Sequence, residues 1–488
     1  MSETLKNKTL KGVSWSLIDN IAGSGTAFLV GLVLARLLSP KEFGVIGMIT
    51  IFIAISNTLI DSGFSNALIR KTDSNNIDYN TVFLFNLVIS IVLYIFLFFS
   101  APVISRFYKE PQLIAITQTI GLILIFNALG IIQRTLLIKE VNFKTQAKIS
   151  LIASLTSGCI GIGMALSGFG VWSLVGQQLS KQLVNSILLW VFNKWRPSME
   201  FSKKSFNEMF GFGSKLMISG IIDTTYQNIY YLIIGKFYSA DQLGQYSRAE
   251  QFKNIFSQNL TFAIQRVSFP ILSSIKNEED RLLFAYRKII KSTMVIAFAL
   301  MLSMAAVAKP MILLLIGDKW LPSVVFLQIM CFDAMLFPLH AINLNILQVK
   351  GRSDIFLKLE ILKKIITIVP ILVGIFYGIK FLLLGSVLTS FVSFFINSHY
   401  SGRLIHYSTW MQIKDIFPTF TISLCVAITM FAVSFLSWNN WAILSAQIVI
   451  GLTMGYLLYE NSKISEYKEI KNIIILFIQN NWKIKLLQ

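Results

Sequence analysis

Arg248 and Arg266 lie 18 residues apart in a stretch whose neighbours in the chain are almost purely apolar. That spacing is about five helical turns, so the two guanidinium groups share one face roughly 27 Å apart. Gln245, Gln251 and Asn259 fall near the same face, among Phe252, Ile255 and Phe262. Cations suit phosphate, amides suit hydroxyls, and aromatic faces suit sugar rings; the stripe therefore fits an anionic, sugar-bearing ligand. The opposing reading sends both arginines snorkelling to the two membrane interfaces. The amides between them favour the first reading, because they need a wet or buried polar setting. Lys253 points elsewhere and stands one turn from Glu250, the spacing of an internal ion pair.

Other ionisable side chains interrupt apolar runs: Asp19, Asp61, Lys181, Asp223 and Asp333. A charge at the bilayer centre costs about 2.5–3.5 kcal/mol on insertion scales, so such residues are functional candidates by default. Lys181 joins the arginines as a candidate substrate-binding cation. Asp19, Asp223 and Asp333 are candidates for binding a coupling ion or for pairing internally with those cations. Asp61, near the end of its run, is an interface candidate.

Catalytic chemistry is not written in the chain. His340, His399 and His406 are scattered, and no metal-ligand, nucleophile or acidic-pair constellation appears. No cofactor is expected. Cys159, Cys331 and Cys425 fall in separate apolar runs and read as small core residues. The glycine clusters SGCIGIGMALSGFG (157–170) and GFGSK (211–215) lack Walker spacing and a preceding soluble strand, so they read as close helix packing.

The elements that must carry these residues are membrane spans. Hydrophobic residues make up 55% of the 488 and charged residues 14%, with a mean hydropathy of +0.66. A soluble protein would carry about a quarter charged residues. The class is an all-α polytopic membrane protein; continuous apolar runs exclude a β-barrel. About fourteen segments have span length: 13–38, 43–69, 81–104, 113–137, 149–166, 171–192, 210–237, 243–272, 289–308, 322–349, 361–377, 381–404, 417–436 and 441–459. The N-terminus is polar and lysine-rich before a long first span, unlike a cleaved signal peptide.

The net charge of +19 resides in short loops, which excludes a nucleic-acid partner as its explanation. About three quarters of Lys and Arg fall in the N-terminus, 70–71, 134–148, 194–215, 276–291, 350–364, 403–414 and the tail from 463. The alternate loops, 39–42, 106–110, 168–170, 239–242, 309–321, 378–380 and 438–440, are short and poor in both. The basic set is cytoplasmic, and both termini are then inside. The alternation requires 243–272 to cross the bilayer despite its charges.

An internal repeat aligns LARLLSPKEFG (34–44) with IGKFYSADQLG (234–244), six spans later and so in the same orientation. It predicts two six-helix lobes in parallel pseudo-twofold repeat, 1–200 and 201–408, with two extra helices and a cytoplasmic tail at 409–488.

The runs LARLLSPKEFGVIGM, DSGFSNALIRK, FYKEP, NFKTQAKISLIASL, GFGVWSLVGQQL, WRPSMEF and YSADQLGQYSRAEQF resemble the polysaccharide-transporter branch of the multidrug/oligosaccharidyl-lipid/polysaccharide exporter superfamily. The resemblance is to Wzx-type flippases, especially the colanic and teichuronic acid exporter group. It implies a two-lobed, V-shaped fold and outward flipping of undecaprenyl-diphosphate-linked oligosaccharide by alternating access across the bacterial cytoplasmic membrane, for O-antigen, capsule or exopolysaccharide assembly. Partners implied are the lipid-linked oligosaccharide, membrane lipid, and polysaccharide polymerase and chain-length proteins. The alternatives are a small-molecule drug or cation antiporter of the same superfamily and a non-transporting scaffold of a polysaccharide assembly complex. An integral-membrane polymerase, ligase or glycosyltransferase would need a substantial outer loop or an acidic metal motif, and the chain has neither.

Overall fold

The computed structural model describes residues 23–462, 464–472 and 475–476. Among these the chain forms helices and loops and no strand. In order they are α1 (Gly23–Leu37), α2 (Pro40–Asp61), α3 (Phe64–Arg70), α4 (Asn76–Tyr108), α5 (Leu113–Ile120), α6 (Leu122–Lys139), α7 (Phe143–Leu166), α8 (Trp172–Phe192), α9 (Lys203–Phe237) and α10 (Ala240–Ser274). There follow α11 (Glu279–Ile316), α12 (Leu321–Ala334), α13 (Phe337–Val349), α14 (Ser353–Ile366), α15 (Ile368–Tyr377), α16 (Ile379–Ile405), α17 (Thr409–Ala432) and α18 (Asn440–Asn461).

Among the described residues, nine helical stretches are long and apolar enough to cross a membrane. The chain is a multi-pass membrane protein. Helices α8, α9 and α10 have span length, at 21, 35 and 35 residues, yet are too polar for that class. They carry Lys181, Asp223, Arg248 and Arg266. Several predicted spans are helix pairs. The 43–69 segment breaks at Ser62 and Gly63, with φ of 47° and 71°. The 361–377 segment breaks at Thr367, just before Pro370.

The chain divides into two compact units, Met1–Ser247 and Arg248–Gln488, with the boundary inside α10. In the first unit, α9 packs along α2. Side chains are absent where the two approach most closely. A Cβ on Gly63 would come 2.7 Å from the Gly213 carbonyl oxygen, and one on Gly213 would come 2.5 Å from that of Ser62. The repeat loops meet in the same way. A Cβ on Gly44 would sit 1.6 Å from the Ala240 carbonyl oxygen, and one on Gly244 would sit 1.8 Å from that of Pro40. Close packing also accounts for Gly158, set against Val30, and Gly161, set against Gln177. A polar clamp closes the end of the unit that carries the basic loops. Lys71 pairs with Asp78 and Glu208 at 3.0 and 3.1 Å. Burial lowers the Lys71 pKa, but hydrogen bonds to these carboxylates outweigh that and leave it raised.

In the second unit, α11 is the central post against which α12, α17 and α18 pack. A fully buried network crosses it. The Tyr286 hydroxyl donates to Asn343 Oδ1 at 3.0 Å, Asn343 Nδ2 donates to Gln412 Oε1 at 3.2 Å, and Ser401 donates to the same Asn343 oxygen. The segment after α18 docks onto α11 through Lys288–Glu469 and Lys291–Glu466, the first at 2.8 Å. Of the cysteines only Cys331 is in the core. Cys159 and Cys425 lie on exposed helix faces, which corrects the expectation that all three are buried.

Candidate functional site

Lys181 projects from α8 into a cavity of about 330 Å³ within the first unit. The cavity is walled by α1, α6, α7 and α8, and its polar lining is Ser24, Arg134, Gln146, Ser150, Ser154, Lys181, Gln182 and Asn185. Among the described residues, no carboxylate lines it. Two cations, three amides and three hydroxyls make a site for an anion bearing hydroxyl groups. The volume is at the lower end of the range of about 300–1,000 Å³ typical of ligand sites. Gln146 Oε1 is buried there without a hydrogen-bond partner among the described residues.

The floor of this cavity is held by an amide relay. Gln182 Nε2 donates to Asn127 Oδ1 at 3.0 Å, and Asn127 Nδ2 donates to Asn57 Oδ1 at 2.8 Å. The relay fixes α8 to α6 and α6 to α2, and so sets the position from which Lys181 and Asn185 project. Thr58 on α2 meets Thr224 on α9 at 3.0 Å, one residue from Asp223. Asp223 itself is exposed and engaged in further interactions. Asp19 lies outside the described residues.

On α10 the burial pattern tests the arginine stripe. Tyr246, Ala249, Lys253, Ser257, Ser268 and Leu272 are buried. At about 100° per residue these centre roughly opposite the line through Arg248 and Arg266. Arg248, Gln251, Asn259 and Arg266 are half-buried, while Phe252 on the same side is 1% exposed, so the stripe is only partly open. Arg266 places its guanidinium 4.2 Å from the Phe262 ring centroid. Asn259 Nδ2 donates to the Ile255 carbonyl at 2.6 Å, which occupies part of its amide. Gln245 is 2% exposed, and so belongs to the packed end of the helix in the first unit rather than to an open lining. Lys253 also departs from expectation. Its ammonium lies 5.3 Å from the Phe337 ring centroid and in the field of Asp333, not in a pair with Glu250. Ser390 Oγ joins this neighbourhood to His340: it donates to the Asp333 carbonyl at 3.4 Å and meets His340 Nε2 at 3.0 Å.

Within each unit the predicted residues are placed as follows. Lys181 belongs to the cavity of the first unit. Arg248, Gln251, Asn259 and Arg266 share a face of α10, and Asp333 lies in the second unit with its carbonyl bonded by Ser390. Arg134, Gln146, Gln182 and Asn185 are lining residues that the sequence reading missed. Arg134 was assigned to the basic loop 134–148, whereas the chain is helical through Lys139. Its place inside the predicted span 113–137 was the available signal.

A model of the family described as "Polysaccharide biosynthesis protein" matches residues 33–325, well over half of the chain. The chain belongs to this polysaccharide biosynthesis protein family. This family member is 23% identical over 486 residues to the teichuronic acid biosynthesis protein TuaB of Bacillus subtilis (strain 168), covering 97% of this chain and 98% of TuaB. It is 26% identical over 322 residues to the succinoglycan biosynthesis transport protein ExoT of Rhizobium meliloti (strain 1021), covering 66% and 65% of the two chains. Its fold resembles that of the lipid II flippase MurJ in an inward closed conformation, with a TM-score of 0.72 and 14% identity over 90% of this chain and 97% of MurJ. At that identity the likeness shows the shared fold. Among the described residues no group of three His, Cys, Asp or Glu side chains is placed to hold a metal ion.

Proposed function

We propose that this family member is a flippase that moves undecaprenyl-diphosphate-linked oligosaccharide units outward across the bacterial cytoplasmic membrane for surface polysaccharide assembly. The observation that carries the reading is the cavity of Lys181 and Arg134, whose described lining offers two cations, three amides and three hydroxyls and no carboxylate. It suits a diphosphate with sugars attached and would repel the organic cations of a drug antiporter. Transport, rather than enzymatic synthesis, is supported by the relative named as a transport protein and by the flippase fold. The half-buried stripe of Arg248 and Arg266 is a second cationic surface that an anionic headgroup could use. Moving an anion out of a negative interior gains about 2.3 kcal/mol per charge per 100 mV, so the membrane potential alone could bias export.

We also read the chain as two six-helix lobes, 1–200 and 201–408, working by alternating access, with both termini cytoplasmic. The internal repeat and the reciprocal approach of Gly44 and Gly244 support this. The test is flipping of a fluorescent lipid-linked oligosaccharide in proteoliposomes. Wild-type protein should flip it, and the double variant Arg134→Ala/Lys181→Ala should not. Equal flipping by both, or none by either, would remove the reading.

A further inference from the structure

A second cavity of the first unit, of about 430 Å³, lies at the loops assigned by the charge pattern to the outside. Its walls are Ser39, Lys41, Glu42, Gln112, Phe169 and Trp172, with the backbone of the 168–171 turn between them. Three observations bear on what it could hold.

The first is aromatic surface. Phe169 and Trp172 are 56% and 37% exposed, and both line the cavity. The second is how the turn presents them. Gly168 and Gly170 have φ of 82° and 52°, which L side chains rarely adopt. A Cβ on Gly170 would lie 2.6 Å from Glu42 Oε1, so the turn lies directly against that carboxylate. The third is an ordered acceptor. Glu42 Oε2 is held by the Ser39 backbone N–H and by Ser39 Oγ, the latter at 2.9 Å, in the capping box of α2. Glu42 Oε1 accepts no hydrogen bond among the described residues and faces the cavity rim beside Gly170. Lys41, the one cation among the described lining residues, is paired with Glu110 at 3.4 Å.

Two partly exposed aromatic side chains, a carboxylate oxygen and an amide match the face and the hydroxyl edge of a pyranose ring. Because the available charge is negative, the fitting sugar is neutral, and a uronate is disfavoured. We infer that this cavity is a binding subsite for a neutral pyranose residue on the outer face, engaging the glycan as it emerges. The placement on the export path rests on the proposed function; the sugar site itself does not.

The probes are methyl glucoside, methyl galactoside and glucuronate, observed by saturation-transfer-difference NMR on the full-length protein in nanodiscs. Ring-proton signals are expected from at least one methyl glycoside, and little from glucuronate. Trp172→Ala should reduce the signal about fivefold or more, and Trp172→Phe should keep most of it. Glu42→Gln, which can still cap α2, should weaken binding and lessen the discrimination against glucuronate. An absence of signal for both methyl glycosides, or equal signals from wild type and Trp172→Ala, overturns the subsite. The proteoliposome assay is scored separately. Sugar binding without flipping would leave the subsite standing and defeat the transport reading, and flipping without sugar binding would do the reverse.

Discussion

Lys181 and Arg134 show what a single cation does in this setting. Each lines a cavity with no carboxylate among its described lining residues. In the proposed function, removing one of them would delete a charge-assisted hydrogen bond to the anionic ligand. Lys181→Ala should lower the flipping rate about tenfold or more, and Lys181→Arg should retain much of it. Lys181 was legible in the sequence because it stands alone in an apolar run. Arg134 was not, because a cation at the junction of a span and a basic loop looks like one more loop charge. The buried network of the second unit gives a contrasting prediction. Asn343 is fully buried and serves Tyr286, Ser401 and Gln412 together. Asn343→Leu strands these partners, at a cost of about 1–3 kcal/mol for each buried polar group left unpaired. The purified variant should melt at a lower temperature, while its aqueous-face ion pairs remain intact.

At the level of elements, the sequence located most spans as apolar runs, since a span must satisfy its backbone internally and show lipid an apolar face, and reached α10 only through the alternation of loop charge. It did not show the breaks. Residues 43–69 read as one span, yet Ser62 and Gly63 turn out of the helix where the backbone passes Gly213. Such a turn follows from a partner some 150 residues away along the chain, which local periodicity cannot register. The aromatic pair at the second cavity was hidden for a different reason. Aromatics are 13% of the chain and collect at span ends generally, so Phe169 and Trp172 carried no distinguishing signal. The repeat loops give the prediction proper to this scale. Gly44→Ala and Gly244→Ala each force a methyl against a carbonyl oxygen of the opposing loop. Both should impair flipping to a similar degree with protein levels preserved. Gly163→Ala, where nothing lies within 4 Å, should behave as wild type. Unequal effects at the two loops would mean that the repeat does not use them equivalently.

For the whole molecule, the distribution of charge over loops is the quantity to test. In a cysteine-free background, which requires replacing the exposed Cys159 and Cys425 as well as Cys331, single reporters can be placed at Asp73, Ser202 and Trp438. An impermeant maleimide added to intact cells should label Trp438→Cys and spare Asp73→Cys and Ser202→Cys until the membrane is opened. The reverse pattern would invert the topology and with it the direction of transport. The chain as a whole also concentrates polarity unevenly. Helices α8, α9 and α10, consecutive in sequence, are the long helices too polar for the apolar class. A mutational scan of flipping should accordingly find its sensitive polar positions clustered between residues 172 and 274 more densely than in α16 to α18.

The touch between Pro40 and Gly244, and between Ala240 and Gly44, is backbone against backbone. A joint of that kind carries no side-chain vocabulary and so has nothing with which to recognise a cargo. Relatives handling different glycans could keep it unchanged while their linings diverge. A chimaera that exchanges the cavity walls but leaves this joint alone should therefore change what is carried without changing whether anything is carried.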